Sequence, residues 1–227
     1  MIEFENTEVY GWESAIRGMR NPMNSWENSD SCFCFHEPDC EAACEMHLGP
    51  NDLKRMKSLI KAGPDHAKFM RMINVTVDIT APLYWWKEFD TYKVGTVRNS
   101  CSTMHKIHEK EFELDDFSHE HLVDDFMPDK QLSDKVKYFC DAHGMLILII
   151  RNLNGLRENY LATNDKEYWY SMIQLLPSSY NQRATVQLNY QVLRNMYHGR
   201  KAHKLDEWRE GFCAWVKSLP YSELITE

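Results

Sequence analysis

The residues best equipped for chemistry lie near the end of the chain, where Asn189, Asn195 and Arg200 are followed by His203 and Glu207. Arg200 comes directly after Gly199, a place where a helix can end and present its guanidinium to an anion. A fixed guanidinium stabilises negative charge that develops on a bound molecule. A second group surrounds Lys93 and Arg98, with Gly95, Thr96, Asn99, Ser100 and Ser102 between and after them. Amides and hydroxyls in such a loop can hold a phosphate beside two cations. For both groups the plain alternative is a solvated arginine and a solvated turn.

Cysteine chemistry is the other possibility. Cys32, Cys34, Cys40 and Cys44 crowd together, with His36 and His47 nearby. These are zinc-preferring side chains, but the spacing C-x-C-x5-C-x3-C fits no common zinc module, so a loop with reduced cysteines is the expectation. Cys101 lies between two serines near Arg98, a setting that can lower a thiol pKa, with His105 or His108 as a candidate base. Most lone cysteines are inert.

The elements that must position these groups can be read from periodicity. Glu3 to Tyr10 reads as a strand and the stretch through Arg20 as helical; 21–49 is loop-rich. Pro50 can start a helix with Leu53, Met56, Leu59 and Ile60 on one face, stopped by Gly63-Pro64. Ile73, Val75, Val77 and Ile79 alternate as a strand does, and Leu83 to Asp90 reads as a helix. Residues 91–105 read as loop, and the acidic stretch 109–130 as solvated. A long helix, capped by Ser133 and running to about Ala162, is apolar nearly all round and is expected to be buried. Lys166 to Leu176, 183–198 and 205–219 read as further helices. On one helix, Asn189 and Asn195 would point about 120° apart. Tyr84-Trp85-Trp86 and Tyr168-Trp169-Tyr170 read as core. The expected class is α+β, helix-rich with a small mixed or antiparallel sheet, as a single domain over 1–227.

Composition narrows the field further. The chain of 227 residues carries 26 Lys and Arg against 34 Asp and Glu, a net charge of −8. Its 7 Trp, 11 Tyr and 10 Phe supply too much apolar surface for a disordered chain. The acidic balance argues against DNA, whose affinity comes mainly from Lys and Arg. The longest apolar run, Met145 to Ile150, falls far short of the roughly 20 residues that span a bilayer. No basic-then-apolar leader is visible, so a cytoplasmic protein with free thiols is the expectation.

The stretch Asn189-Tyr190-Gln191-Val192-Leu193-Arg194-Asn195-Met196-Tyr197-His198-Gly199-Arg200, preceded by Leu176-Pro177 and followed by His203 and Glu207, resembles the flavin-dependent thymidylate synthases. That family has Leu-Pro, then Asn-x-Arg-x-x-x-Asn, an Arg five residues on, and a closing His-Ala-Gln-x-Glu-Ile. Asn189, Asn195 and Arg200 match at the family's spacing, with Gln191 in place of its Arg; His203 and Glu207 match after one deletion. Upstream, Asp65-His66-Ala67-Lys68-Phe69 resembles Glu-His-x-x-Phe. The signature Arg-His-Arg-x-x-Ser-x-Asn-Glu-x-Ser-x-Arg is largely substituted. Lys93, Thr96, Asn99 and Ser102 are identical or close, whereas Thr91, Tyr92, Ser100 and Met104 replace the first Arg, the His, the Glu and the last Arg. Gln174 stands where the family has a further arginine.

The resemblance covers about residues 50–210 and implies reductive methylation of dUMP, or a related pyrimidine nucleotide. Methylenetetrahydrofolate supplies the carbon, and FAD reduced by NADPH the hydride. It implies a catalytic, uracil-polarising role for Arg200; flavin contacts for His66, Lys93, Thr96, Asn189, Asn195 and His203; and substrate contacts for Asn99, Ser102 and Arg200, while Arg98, which no motif matches, is a candidate replacement for the phosphate-binding arginine lost at Gln174. It also implies a homotetramer with sites between subunits, where Lys93 of one chain meets Asn195 and Arg200 of another. The alternative is a catalytically inactive nucleotide- or flavin-binding or structural homologue, motivated by the lost signature arginines.

Overall fold

Along β2 (Asn74–Pro82), Val75, Val77, Ile79 and Ala81 are buried and the intervening Thr76, Asp78 and Thr80 half-buried. Along β4 (Asn181–Asn189), Gln182, Ala184, Val186 and Leu188 are buried, and Arg183, Thr185 and Gln187 exposed. Two strands with one apolar face each pair through their backbones and keep those faces from water. The pairing is antiparallel: Tyr190 N–H donates to Ile73 O at one end and Leu83 N–H to Tyr180 O at the other, both at 3.0 Å. β1 (Glu3–Tyr10) and β3 (Val97–Ser100) complete a four-stranded sheet in the order β1-β2-β4-β3. The computed structural model describes residues 2–33, 46–123 and 141–227.

These residues gather into two compact units that divide β2 and β4 between them. One comprises Met1–Glu3, Ile79–Thr91 and Asn99–Ala184. In it α3 (Leu83–Phe89) buries Trp85, Trp86 and Phe89, and Trp86 Nε1–H donates to Gln182 O at 2.9 Å. The helices α4 (Ala142–Thr163) and α5 (Lys166–Leu175) share a core of Phe112, Phe117, Leu146, Ile150, Leu153 and Met172. In the stretch expected to be solvated, Glu109, Glu111, Glu113, Asp115 and Glu120 are exposed, but Asp116 is half-buried and Phe112, Phe117 and Ser118 are buried; residues 124–130 lie outside the described residues.

The other unit comprises Phe4–Asp78, Tyr92–Arg98 and Thr185–Glu227. It holds α1 (Trp12–Arg20), α2 (Pro50–Lys61), α6 (Tyr190–Arg200), a π-helical turn at Glu207–Phe212, α7 (Cys213–Ser218) and α8 (Glu223–Thr226). α1 and α2 are joined by a buried ion pair. Arg20 Nε–H donates to Asp52 Oδ1 at 2.7 Å, while the Ser29 and Ser31 hydroxyls donate to Oδ2, each at 2.7 Å. The rest of the guanidinium donates to Ser25 O and Asn28 O, so the charge is satisfied from several sides.

Several expectations are corrected. Val97–Ser100 is a strand, because an edge strand needs backbone partners and not an alternating pattern; Cys101 N–H still donates to Arg183 O. Residues 183–189 belong to β4, where burial has period two, and only then does a helix begin. The long helix starts at Ala142, capped by Asp141, whose Oδ1 accepts from Gly144 N–H at 2.5 Å; Ser133 lies outside the described residues. That helix is not buried all round, since Met145 and Leu161 are 44% and 54% exposed. On α2 the buried positions are Met56 and Asp52, while Leu53, Leu59 and Ile60 are half-buried. Cys34, Cys40, Cys44 and His36 lie outside the described residues; Cys32 and His47 pair through their backbones. Among the described residues no helix is long and apolar enough to cross a membrane.

Burial works to raise the Asp52 carboxyl pKa, but the Ser29 and Ser31 hydroxyls and Arg20 outweigh it and hold the group below its ordinary value. Its stabilisation is therefore present above the unfolded carboxylate value of about 3.9 and lost as pH falls through the folded one. Asp52→Ala leaves Arg20 buried and unpaired and is expected to cost about 3–5 kcal/mol in urea unfolding at neutral pH. Arg17→Ala, at the exposed Glu13 pair, is expected to cost less than about 1 kcal/mol.

Candidate functional site

The helix that carries Arg200 starts where β4 stops. Asn189 is the last residue of the strand, with extended backbone, and its Oδ1 accepts from Val192 N–H at 3.1 Å. It is the N-cap of α6, satisfying one of the donors that every helix start leaves open. The expected 120° separation of Asn189 and Asn195 on one helix is therefore corrected, because only Asn195 is on it. Asn195 is exposed, and its Oδ1 accepts from Gln191 Nε2–H one turn earlier, at 3.1 Å.

Arg200 is the last residue of α6, the end of a helix that favours a cation. Its Nε–H donates to Tyr92 Oη at 2.9 Å. The guanidinium carbon lies 5.3 Å from the Tyr92 ring centroid and 5.1 Å from that of Trp208, both within cation–π range. Trp208 is fully buried and belongs to the π-helical turn Glu207–Phe212, which also holds the buried Glu207. π-Helical turns recur at functional sites because they re-aim side chains within a helix.

The loop from Tyr92 runs beside α6 towards its first turn. Gly95 has φ +80°, and a Cβ there would stand 3.0 Å from Val192 Cγ2 and 3.3 Å from Asn189 Nδ2. Glycine supplies both the left-handed backbone and the space. Thr96 Oγ1–H donates back to Tyr92 O and closes the loop on itself. Lys93 is exposed, and Arg98 is half-buried on β3.

One unit thus contains His66, Lys93, Thr96, Arg98, Asn189, Asn195, Arg200 and His203. Contacts join the loop to Asn189 and Arg200. His66 is exposed in a turn held by its N–H to Gly63 O. His203 Nδ1 accepts from Leu205 N–H at 3.2 Å, which puts the proton of the neutral ring on Nε2. Asn99 and Ser102 fall in the other unit, and the Ser102 hydroxyl accepts from the Met104 and His105 N–H groups. Cys101 is exposed, while His108 packs edge-on to Tyr160. Trp208 and Tyr92 are the residues that sequence reasoning did not assign to the site. Tyr92 counted only as a mismatch, although a phenol is as able as an imidazole to accept from a guanidinium.

No protein-family model matches the chain, and no curated protein matches it in sequence. Solved structures do. The chain has the fold of the flavin-dependent thymidylate synthases, matching a crystal structure of ThyX from Helicobacter pylori complexed with FAD and dUMP. That match has TM-score 0.64 and 17% identity, covering 99% of this chain and 97% of that one. A second structure of the Helicobacter pylori protein with FAD and dUMP matches with TM-score 0.62 and 17% identity, over 100% of this chain and 96% of that one.

Asn189→Ala is expected to destabilise the protein by about 1 kcal/mol in thermal unfolding, whereas Asn189→Ser, which keeps a capping oxygen, is expected to stay within a few tenths. Equal loss in both variants would remove the capping role.

Proposed function

We propose that the chain is a divergent flavin-dependent thymidylate synthase, methylating dUMP or a related pyrimidine nucleotide with methylenetetrahydrofolate. The observation that carries this reading is Arg200, held by Tyr92 and Trp208 at the end of α6 within a fold matched over almost the whole chain. In this reading Arg200 polarises the uracil and stabilises charge developing on it. Arg98, Asn99 and Ser102 bind the nucleotide, with guanidinium and hydroxyl groups as phosphate donors. His66, Lys93, Thr96, Asn189, Asn195 and His203 hold the flavin. The donor set suits such a group, since Lys93, His66 and Asn195 are exposed and the Asn189 amide nitrogen lies beside Gly95. Bound FAD, reduced by NADPH, supplies the hydride.

A second reading keeps binding but loses turnover. Tyr92, Ser100, Met104, Gln174 and Gln191 favour it, since each stands where the family pattern has a charged or imidazole side chain. Both readings carry a homotetramer as a proposal, and a monomer mass in sedimentation would count against it.

The test is an absorption spectrum after FAD addition and desalting, repeated with dUMP, together with calorimetry of dUMP. Retained flavin with a dUMP-dependent change is expected, and Arg200→Lys is expected to weaken dUMP at least roughly tenfold, as loss of a planar charged donor does. Formation of dTMP separates the first reading from the second. A colourless protein that gives no heat with dUMP contradicts both.

A further inference from the structure

We propose that Tyr92 is the positioning residue for Arg200, holding its guanidinium in place for a uracil nucleotide; this rests on the nucleotide reading above. An arginine side chain carries about 2 kcal/mol of rotamer entropy, so one poised for a planar ligand gains from being fixed beforehand. Tyr92 supplies two restraints at once. Its hydroxyl accepts Nε–H at 2.9 Å, and its ring lies against the guanidinium with the centroid 5.3 Å from the carbon. The fully buried Trp208 adds a second ring at 5.1 Å.

Tyr92 is itself held. Its carbonyl accepts from the Thr96 hydroxyl, and Gly95, at φ +80°, turns the chain against Val192 and Asn189. The loop therefore ties the hydroxyl that fixes Arg200 to the cap of the helix that carries Arg200. Tyr92 stands where the family pattern has histidine, and either side chain can accept from a guanidinium.

The experiment uses the whole 15N-labelled chain. The Arg200 Nε–Hε resonance is assigned by its absence from Arg200→Lys, its exchange with water is measured, and dUMP affinity is measured by calorimetry. Tyr92→Phe keeps the ring and removes the acceptor. It is expected to speed Hε exchange at least roughly tenfold and to weaken dUMP binding by roughly tenfold, as loss of a hydrogen bond to a charged group does. Tyr92→His, which restores an acceptor, is expected to recover part of both effects. Hε exchange in Tyr92→Phe as slow as in the native chain overturns the proposal, as does unchanged dUMP affinity. A native chain with slow Hε exchange but no dUMP binding contradicts the nucleotide reading instead, and leaves the hold of Tyr92 on Arg200 established by its own measurement.

Discussion

The candidate site depends on the junction between β4 and α6, where one residue ends a strand and the next begins a helix. Asn189 closes the strand and caps the helix, and Tyr190 N–H still donates across the ladder to Ile73 O. Tyr190 is fully buried, packs against Trp12 with ring centroids 5.2 Å apart, and donates its hydroxyl to Pro220 O at 2.5 Å. Burial pushes its phenol far above the ordinary range, so the hydroxyl remains a donor at any working pH. The sheet therefore sets the start of α6. Its eleven residues then place Arg200 about three turns away, at a distance fixed by helical rise.

What happens at the far end of the helix is a contest between entropy and local attraction. A terminal arginine would ordinarily sample many rotamers in water. Here the helix end, one phenol oxygen and two aromatic rings act on the same guanidinium, and each is worth on the order of 1 kcal/mol. Together they can offset the rotamer entropy where one alone would not. The buried Arg20–Asp52 pair works on another principle. Its two charges are deeply buried, with serine hydroxyls and backbone carbonyls meeting what remains. One arginine is thereby structural, and the other is half-buried at a helix end.

Much of this was legible in the residues because it rests on period and punctuation. Glu3–Tyr10 as β1, the alternation through β2 and the Pro-bounded α2, α3 and α5 follow from local rules. β3 was not legible, since Val97–Ser100 owes its strand conformation to the neighbouring strand rather than to its own pattern. β4 was misread as helix. Its alternation at Gln182, Ala184, Val186 and Leu188 includes a buried polar residue, whose amide donates to Cys101 O at 2.7 Å. Burial of α2 through Asp52 was likewise invisible without knowing that Arg20 faces it. At the site, spacing brought out Arg200 and Asn189 but not the partner of Arg200. A tyrosine in a polar loop carries no local sign of the helix end it will meet.

On the proposed reading, a uracil nucleotide binds where the Tyr92–Arg98 stretch lies beside α6. Hydrogen–deuterium exchange of the full chain, with and without saturating dUMP, tests it most directly. Bound dUMP is expected to slow exchange in peptides covering 92–98 and in the last turn of α6 through Trp208. Unchanged exchange in those segments, or slowing confined to other parts of the chain, would contradict it.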